Sequence, residues 1–314
     1  MTRIDVHHHA IPRFYKEWLV DKGITAAGLQ IPDWSVSTAR EIMAQHDIST
    51  SILSISTPGV HLGDDAEARR VAREVNENVA EVVKDDPASF GQFASLPIPD
   101  VDGSLAEIGR AYDELGVDGV ILLANTNGVY VGDPSLDPIL DELNRREAVV
   151  FIHPSSLPAA PTPGVPPYLC DFLLDTTRAA VNLVRRGCHL RYPRIRFILA
   201  HAGGFLPFAA HRIAFTNGLD GTPATPGEVL DGLRTFYFDV AQSSTDTALA
   251  ALLSFSNVDR VMYGSDYPHV SAAGVDYFAR TFADLNLCET DREAISFRTA
   301  GTLFPRLATA AVTA

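Results

Sequence analysis

The chain has 314 residues, 46% of them hydrophobic and 20% charged, so it can bury a large core and does not have the composition of a disordered protein. Its formal net charge of −14 argues against nucleic acid or an anionic membrane surface as a partner, although a local cation could still attract a small acid. The sequence shows neither an apolar run near the roughly 18 residues of a membrane-spanning helix nor a signal-peptide pattern. Its three cysteines lack CxxC spacing, which favours free thiols in a reducing compartment, so we expect a cytoplasmic protein.

Eight short runs of β-forming, apolar residues alternate with helical patterns along the chain. The runs span 3–7, 49–56, 89–97, 118–125, 148–154, 196–203, 236–242 and 260–268. Eight strands alternating with helices predict the α/β class, with a parallel sheet closed into a (β/α)8 TIM-like barrel. No GxGxxG motif follows the first run, which disfavours an open dinucleotide-binding sheet. We find no linker and therefore expect residues 1–314 to form a single domain.

Two long connections follow predicted strand ends, at 10–35 and 155–168. Long loops at the carboxyl ends of barrel strands commonly cover or border the site. We therefore expect these two segments to act as lid loops at the C-terminal mouth of the barrel.

The first strand, in "RIDVHHHAIP", ends in three consecutive histidines. A purification-tag remnant would lie outside the fold, whereas this run sits between apolar residues that belong to the predicted strand. Because side chains alternate across a strand, His7 and His9 are expected to point to one side and His8 to the other, toward the helices.

Three more residues that can bind metal ions or transfer protons come at predicted strand ends. His153 ends the fifth strand, His201 the sixth and Asp266 the eighth. Each histidine alone is more often an ordinary packed residue, but strand ends converge at the barrel mouth, where active sites lie. Imidazoles with a carboxylate suit a divalent ion such as zinc or manganese.

Four motifs occur along the chain in the order "DVHHH", "HP", "HAGG" and "GSDYP". In these motifs and their order, the sequence resembles the amidohydrolase superfamily. It resembles in particular the branch of metal-dependent decarboxylases that includes the aminocarboxymuconate-semialdehyde and γ-resorcylate enzymes, and residues 125–154 are especially similar to 6-methylsalicylate decarboxylases. The resemblance implies one divalent ion, Zn²⁺ before Mn²⁺, and an acid/base histidine beside it, which would be His201. The implied metal ligands are His7, His9, His153 and Asp266.

The resemblance also implies a homodimer in which an arginine after the "HAGG" motif reaches the neighbouring subunit's substrate carboxylate. Arg212 stands at that position, and a solvated helix arginine is the equally weighted alternative. This chain has no arginine between Arg13 and Arg40, and it has "HPSS" where the aminocarboxymuconate enzyme has "HPWD". Both departures favour a smaller, more apolar monocarboxylate as the substrate.

Three functions fit such a site. The first is non-oxidative decarboxylation of a small aromatic or unsaturated carboxylic acid, with His201 or Asp266 handling the proton. An aspartate next to a cation should stay ionised, which makes His201 the more adaptable group. The second is hydrolysis of an amide, lactone or ester by metal-activated water, with Asp266 as base and His201 polarising the carbonyl. A non-catalytic metal scaffold is the third and the weakest, because it needs no extra histidine.

Further side chains are candidates for the walls of the substrate pocket. Trp34 and Phe14 lie in the first long loop, Asn125 closes the fourth predicted strand, and His269 follows Asp266 by three residues. Aromatic side chains at the mouth would stack on a planar ring. Ordinary loop packing is the alternative for each of them.

Overall fold

The computed structural model describes residues 2–311 and contains a closed eight-stranded parallel barrel. Neighbouring strands follow one another around the barrel in chain order, and every pair in the sheet is parallel. The barrel strands are β1 Arg3–His9, β2 Ile48–Ser54, β3 Phe90–Ser95, β4 Gly119–Leu123, β7 Val149–His153, β8 Arg196–Leu199, β9 Tyr237–Asp239 and β10 Val261–Met262. A small antiparallel hairpin, β5 Asn125–Thr126 with β6 Val129–Tyr130, follows β4.

The barrel closes where β1 meets the chain that continues from β10. Val6 N donates to Tyr263 O at 3.1 Å, Asp266 N donates to His7 O at 2.8 Å, and His9 N donates to Tyr267 O at 2.7 Å. All three bonds involve residues beyond the end of β10, so the seam extends past that strand to the segment that carries Asp266. The predicted (β/α)8 barrel is confirmed.

Helices surround the barrel. They are α1 Arg13–Asp21, α2 Val36–Gln45, α3 Asp65–Asp85, α4 Val101–Arg110, α5 Asp137–Arg145, α6 Pro167–Arg185, α7 Cys188–Arg191, α8 Leu206–Thr216, α9 Pro226–Leu233, α10 Asp246–Phe255, α11 Ala272–Asp284, α12 Glu289–Glu293, α13 Thr299–Leu303 and α14 Pro305–Ala311. No helix within residues 2–311 is long and apolar enough to span a membrane. All three cysteines are free thiols, as expected.

The barrel interior is filled by apolar side chains, and the C-terminal helices help to fill it. Ile4, Ile52 and Phe151 belong to one buried cluster with Leu303 and Phe304 from the α13–α14 region. The rings of Phe93 and Phe304 lie 5.7 Å apart. Since this cluster occupies the interior, polar side chains are concentrated at the strand ends.

The two expected lid loops are partly helical. Within 10–35, α1 begins at Arg13, and only the part around residues 26–32 borders the mouth of the barrel. The second connection ends at Pro167, where α6 begins, and it is the first turns of α6 that face the mouth. Proline at the start of α6 suits the first helical turn, where a backbone N–H has no intrahelical partner.

Asp5 is a buried residue whose carboxylate forms hydrogen bonds across the barrel seam. It is fully buried, and its carboxylate accepts hydrogen bonds from Ser265 N at 3.0 Å, Ser265 Oγ at 2.6 Å and His7 N at 3.1 Å. His8, on the opposite side of the strand from the other two histidines, also contacts Asp5 at 3.3 Å. One carboxylate thus holds β1 against the segment before Asp266.

We expect Asp5→Ala to lower the free energy of unfolding by about 3 kcal/mol, because it leaves several buried donors without an acceptor. Urea denaturation of the purified protein measures this. Asp231→Ala is the control, because Asp231 is 82% exposed and its ion pair with Arg234 spans 3.8 Å, so its loss should cost less than about 0.5 kcal/mol. Equal stability of the Asp5→Ala variant and the native chain would contradict a fastening role for Asp5.

Candidate metal centre and active site

Four side chains from three strand ends meet inside the mouth of the barrel. One ligand atom from each of His7, His9, His153 and Asp266 lies within 4.8 Å of the other three, and all four residues are buried. The Nε2 atoms of His7 and His9 are 3.0 Å apart. Asp266 Oδ1 lies 3.3 Å from the first of these nitrogens and 3.2 Å from the second.

Local backbone features bring this cluster together. The pairing of β1 with β2 shifts register between Asp5 and His8, and such bulges re-aim side chains near active sites. Gly264, in the "GSDYP" motif, leaves room for His7, because a Cβ at this glycine would lie 2.8 Å from the Cβ of His7. The motif glycine is therefore required by close packing.

The Nδ1 atom of each of the three histidines faces a hydrogen-bond acceptor. His7 Nδ1 lies 3.0 Å from Asp239 Oδ2, His9 Nδ1 lies 3.1 Å from Ser54 Oγ, and His153 Nδ1 lies 2.8 Å from Pro154 O. Donation from Nδ1 leaves Nε2 free to act as a ligand, which is how metal-binding histidines are usually oriented. Asp266 Oδ1 is buried and receives no well-aligned hydrogen bond from the described residues. Nitrogen and oxygen lone pairs that converge in this way fit a divalent cation.

The pKa values of the three histidines distinguish His7 from the other two. Burial lowers the pKa of His9 to about 3 and that of His153 well below its usual value, so both imidazoles are neutral. Burial also acts to lower the pKa of His7, but the carboxylates of Asp239 and Asp266 outweigh it and raise the pKa to about 10. In the metal-free chain a proton on His7 therefore balances the two carboxylates, and a cation binding here must displace it.

His201 contacts Asp266 Oδ2, the carboxylate oxygen that faces away from the cluster. It follows β8, and its Nε2 is 3.3 Å from Asp266 Oδ2, which also accepts a hydrogen bond from Gln242 Nε2 at 2.5 Å. Burial acts to raise the pKa of Asp266, but the charge of His7 and the hydrogen bonds from its neighbours, that of His201 foremost, lower it well below the usual value. Asp266 is therefore a carboxylate, with one oxygen toward the cluster and the other toward His201 and Gln242.

The backbone at these two residues is strained. His201 has φ 54° and Asp266 has φ 60°, values that side-chain-bearing residues seldom adopt and that concentrate at functional sites. Gly204 of the "HAGG" motif has φ 65°, and a Cβ there would lie 2.1 Å from Leu173 O. This glycine thus lets the turn after His201 pack directly against α6.

Sequence reasoning missed three residues of this site. Asp239 orients His7, Gln242 donates to Asp266, and Ser54 contacts His9. Two of them lie in the predicted seventh strand, 236–242, to whose end we assigned no site residue. The rule that located His201 and Asp266, polar residues at barrel strand ends, would also have identified Asp239 and Gln242.

A cavity of about 620 Å³ opens above the cluster. His153, His201 and Asp266 lie in its wall, together with His269. The remaining lining residues are Ala26, Ala27, Leu29, Gln30, Pro32, Ser56, Thr57, Tyr168, Leu169, Phe172, Leu173, Gln242, Ser243, Pro268, Val270, Ser271, Gly274 and Phe278. Among the described residues, none that lines the cavity is lysine or arginine. Within one chain, positive charge for an acidic ligand must therefore come from the cluster itself.

Of the residues predicted to bind substrate, His269 lines the cavity and four do not. Asn125 is buried beside it, and its amide donates to Ser156 O at 3.0 Å and to Asp175 Oδ1 at 2.9 Å. Trp34 and Phe14 pack against buried apolar clusters beneath the first loop. Arg212 is exposed on α8, outside the cavity. Trp34 and Phe14 thus fit the alternative of loop packing, whereas Asn125 makes hydrogen bonds within the protein.

Comparison with known proteins agrees with the fold and the motifs. The chain is 35% identical to a 6-methylsalicylic acid decarboxylase from Penicillium expansum, covering 98% of this chain and 97% of the relative. It is 34% identical to the decarboxylase yanB from Aspergillus niger, covering 98% of this chain and 88% of the relative. A crystal structure titled amidohydrolase II superposes with a TM-score of 0.92 at 31% identity, covering 97% of this chain and all of that chain.

A family model described as amidohydrolase matches residues 4–306. The matched segment contains all four residues of the cluster as well as His201. Because the match and the relatives both extend over nearly the whole chain, this protein belongs to the amidohydrolase family.

Proposed function

We propose that this protein is a metal-dependent, non-oxidative decarboxylase of a small aromatic monocarboxylic acid of the hydroxybenzoate type, with 6-methylsalicylate as the first substrate to test. The observation that carries the proposal is the buried cluster of three histidines and Asp266, with His201 next to Asp266 Oδ2, at the base of the cavity. The names of the relatives that match nearly the whole chain support the reaction type.

The charge of the cavity wall supports a monocarboxylate. A carboxylate entering the cavity meets the cluster as its source of positive charge, because the described lining residues include no lysine or arginine. A second carboxylate in the same ligand would find no lysine or arginine in the cavity wall of its own chain, and burying an unpaired charge is costly. This agrees with the absence of arginine between Arg13 and Arg40.

We assign Zn²⁺ to the cluster, with Mn²⁺ as the alternative, because three imidazole nitrogens and one carboxylate oxygen suit both ions. His7, His9, His153 and Asp266 would hold the ion. When bound, the cation would supply a Lewis acid that stabilises negative charge on the substrate.

In the reaction, the bond between the ring carbon and the carboxyl group breaks, CO₂ leaves, and the electron pair that remains on the ring carbon takes up a proton. We assign delivery of that proton to His201, because it lines the cavity beside Asp266 and imidazole is the side chain most often used in general acid–base catalysis. Asp266 is a poor proton donor because its pKa lies well below the usual value. Its role is to bind the metal and to hold His201 through the contact at 3.3 Å.

Decarboxylation and hydrolysis are separated by their products. Metal-loaded enzyme should release CO₂ from 6-methylsalicylate and leave simple lactones intact. Ring opening of lactones without CO₂ release from any salicylate would instead favour the hydrolase alternative. Both assays use the same preparation, so a difference cannot come from the metal content.

We expect His201→Ala to retain the metal and lose about 10²- to 10⁴-fold in kcat, because only the proton-transfer group is removed. His9→Ala and Asp266→Ala should lose both metal and activity, since each removes a ligand. Elemental analysis after dialysis, together with CO₂ release, measures both properties. Full turnover in His201→Ala would exclude its role as the proton donor.

We expect Asp239→Asn to weaken metal binding about 10- to 100-fold, because the amide accepts the hydrogen bond from His7 Nδ1 less strongly and orients the ring less firmly. Competition with a chelating dye measures the dissociation constant. Asp246→Asn, at an exposed position in the first turn of α10, is the control and should bind metal like the native chain. Unchanged metal affinity in Asp239→Asn would remove its orienting role.

We further propose that residues 1–314 form one domain that acts in the cytoplasm as a homodimer through one face of α8. Phe208 is 91% exposed and Phe215 is 73% exposed, and Arg212 lies between them on the same helical face. Exposed large apolar groups in one place are typical of an interaction surface, and a second copy of the chain is the simplest partner. In such a dimer Arg212 would lie at the interface, where it could serve the neighbouring site.

We expect Phe208→Glu to convert the dimer into a monomer, because it places a charge in the apolar interface. Arg212→Ala should stay dimeric and raise KM for 6-methylsalicylate. Light scattering after gel filtration gives the mass, and initial rates give KM. Leu190→Glu on α7, where the native side chain is 75% exposed, is the control and should change neither. A monomeric native protein would refute the dimer. An unchanged KM in Arg212→Ala would indicate that Arg212 is an ordinary solvated surface residue.

A further inference from the structure

The cavity is larger than a methylsalicylate requires. Its volume is about 620 Å³, roughly four times the 150 Å³ in which a protein interior can enclose a benzene molecule. 6-Methylsalicylate has about twice as many non-hydrogen atoms as benzene and so needs on the order of half of this volume. A substantial part of the cavity is therefore left for another part of the ligand.

The space away from the cluster is bordered by apolar side chains on two helices. The first turns of α6 present Leu169, Phe172 and Leu173 to the cavity, and α11 presents Phe278. The polar groups that reach the cavity come largely from segments directly after the strands, such as His201 and Gln242. The added space thus suits hydrocarbon rather than a charged or strongly polar group.

The apolar lining continues to the protein surface. Leu29, Tyr168 and Leu169 belong to the cavity wall and are 53%, 43% and 60% exposed. Leu29 comes from the loop between α1 and α2, whereas the other two come from α6. Three large apolar side chains from two segments at one opening favour an apolar ligand that covers them.

We propose that the substrates of this enzyme include salicylates whose ring carries, next to the carboxylate-bearing carbon, an alkyl chain longer than methyl. This inference rests on the decarboxylase function proposed above. The carboxylate lies at the cluster, and the chain lies along α6 and α11 toward the opening. Because the chain takes no part in the bond-breaking step, its burial lowers KM and leaves kcat nearly unchanged.

The size of the effect follows from the burial of methylene groups. Each methylene fully removed from water should lower KM about fourfold. We therefore measure CO₂ release by the metal-loaded enzyme from salicylate and its 6-methyl, 6-propyl and 6-pentyl derivatives. KM should fall with chain length from methyl to pentyl, at nearly constant kcat.

A pair of variants tests where the chain lies. Leu169→Asp places a charge at the exposed apolar opening, where it does not disturb the buried core. In this variant, KM for the methyl substrate divided by KM for the pentyl substrate should fall at least fourfold. Leu190→Asp, also at an exposed leucine but on α7, should leave that ratio at the native value. An unchanged ratio in Leu169→Asp would overturn the placement of the chain.

The outcomes separate this inference from the proposed function. If 6-methylsalicylate is turned over but KM stays constant or rises with alkyl length, the long-chain proposal is overturned and the decarboxylase function stands. The same result is expected if a second copy of the protein covers the opening. If none of the acids releases CO₂, the decarboxylase function fails. Calorimetric binding of the same acids then decides the inference, with a dissociation constant that falls with chain length supporting an alkyl site and a constant value refuting it.

Discussion

The structure depends on the seam where β1 meets the segment that follows β10. His7 O accepts a hydrogen bond from Asp266 N at 2.8 Å, so the bond that extends the barrel closure also sets the distance between two of the candidate metal ligands. Asp5, buried behind the seam, holds the same two segments together through Ser265. The same hydrogen bonds therefore close the barrel and set the positions of His7 and Asp266 in the cluster.

The electrostatics of the site follow from its burial. Two carboxylates, Asp239 and Asp266, flank His7 in an environment with little water, and each needs positive charge nearby. A proton on His7 or a cation in the cluster can supply it. His201 stands on the far side of Asp266, where it reaches the cavity. One aspartate thus separates the residues suited to hold a metal from the residue suited to move a proton.

Helix α6, which forms part of the cavity wall, is positioned by contacts with the segments that follow the strands. Gly204, the last residue of the "HAGG" motif, permits close contact with α6. Asp175 on α6 accepts a hydrogen bond at 2.8 Å from the backbone N–H of Ser155, which lies two residues after His153. Asn125 joins this contact by donating to Asp175. The apolar face of α6 is therefore held against the strand ends, so that the cavity is a defined space above the cluster.

The sequence alone determined the fold class, the eight strands and the residues that gather at the mouth, because these depend on local patterns: β-forming runs, helical spacing, and polar residues at strand ends. It also indicated that His7 and His9 share a side of the strand, since strand alternation is a local property. Tertiary structure decided what depends on neighbours distant in the chain. Asp239 and Gln242 serve the site only because β9 lies beside β8 and β10, whereas Asn125, Trp34 and Phe14 turned inward to structural contacts that no local pattern signals. The shape and apolar character of the cavity were likewise beyond the sequence, because they arise where α6, α11 and the first loop come together across the barrel mouth.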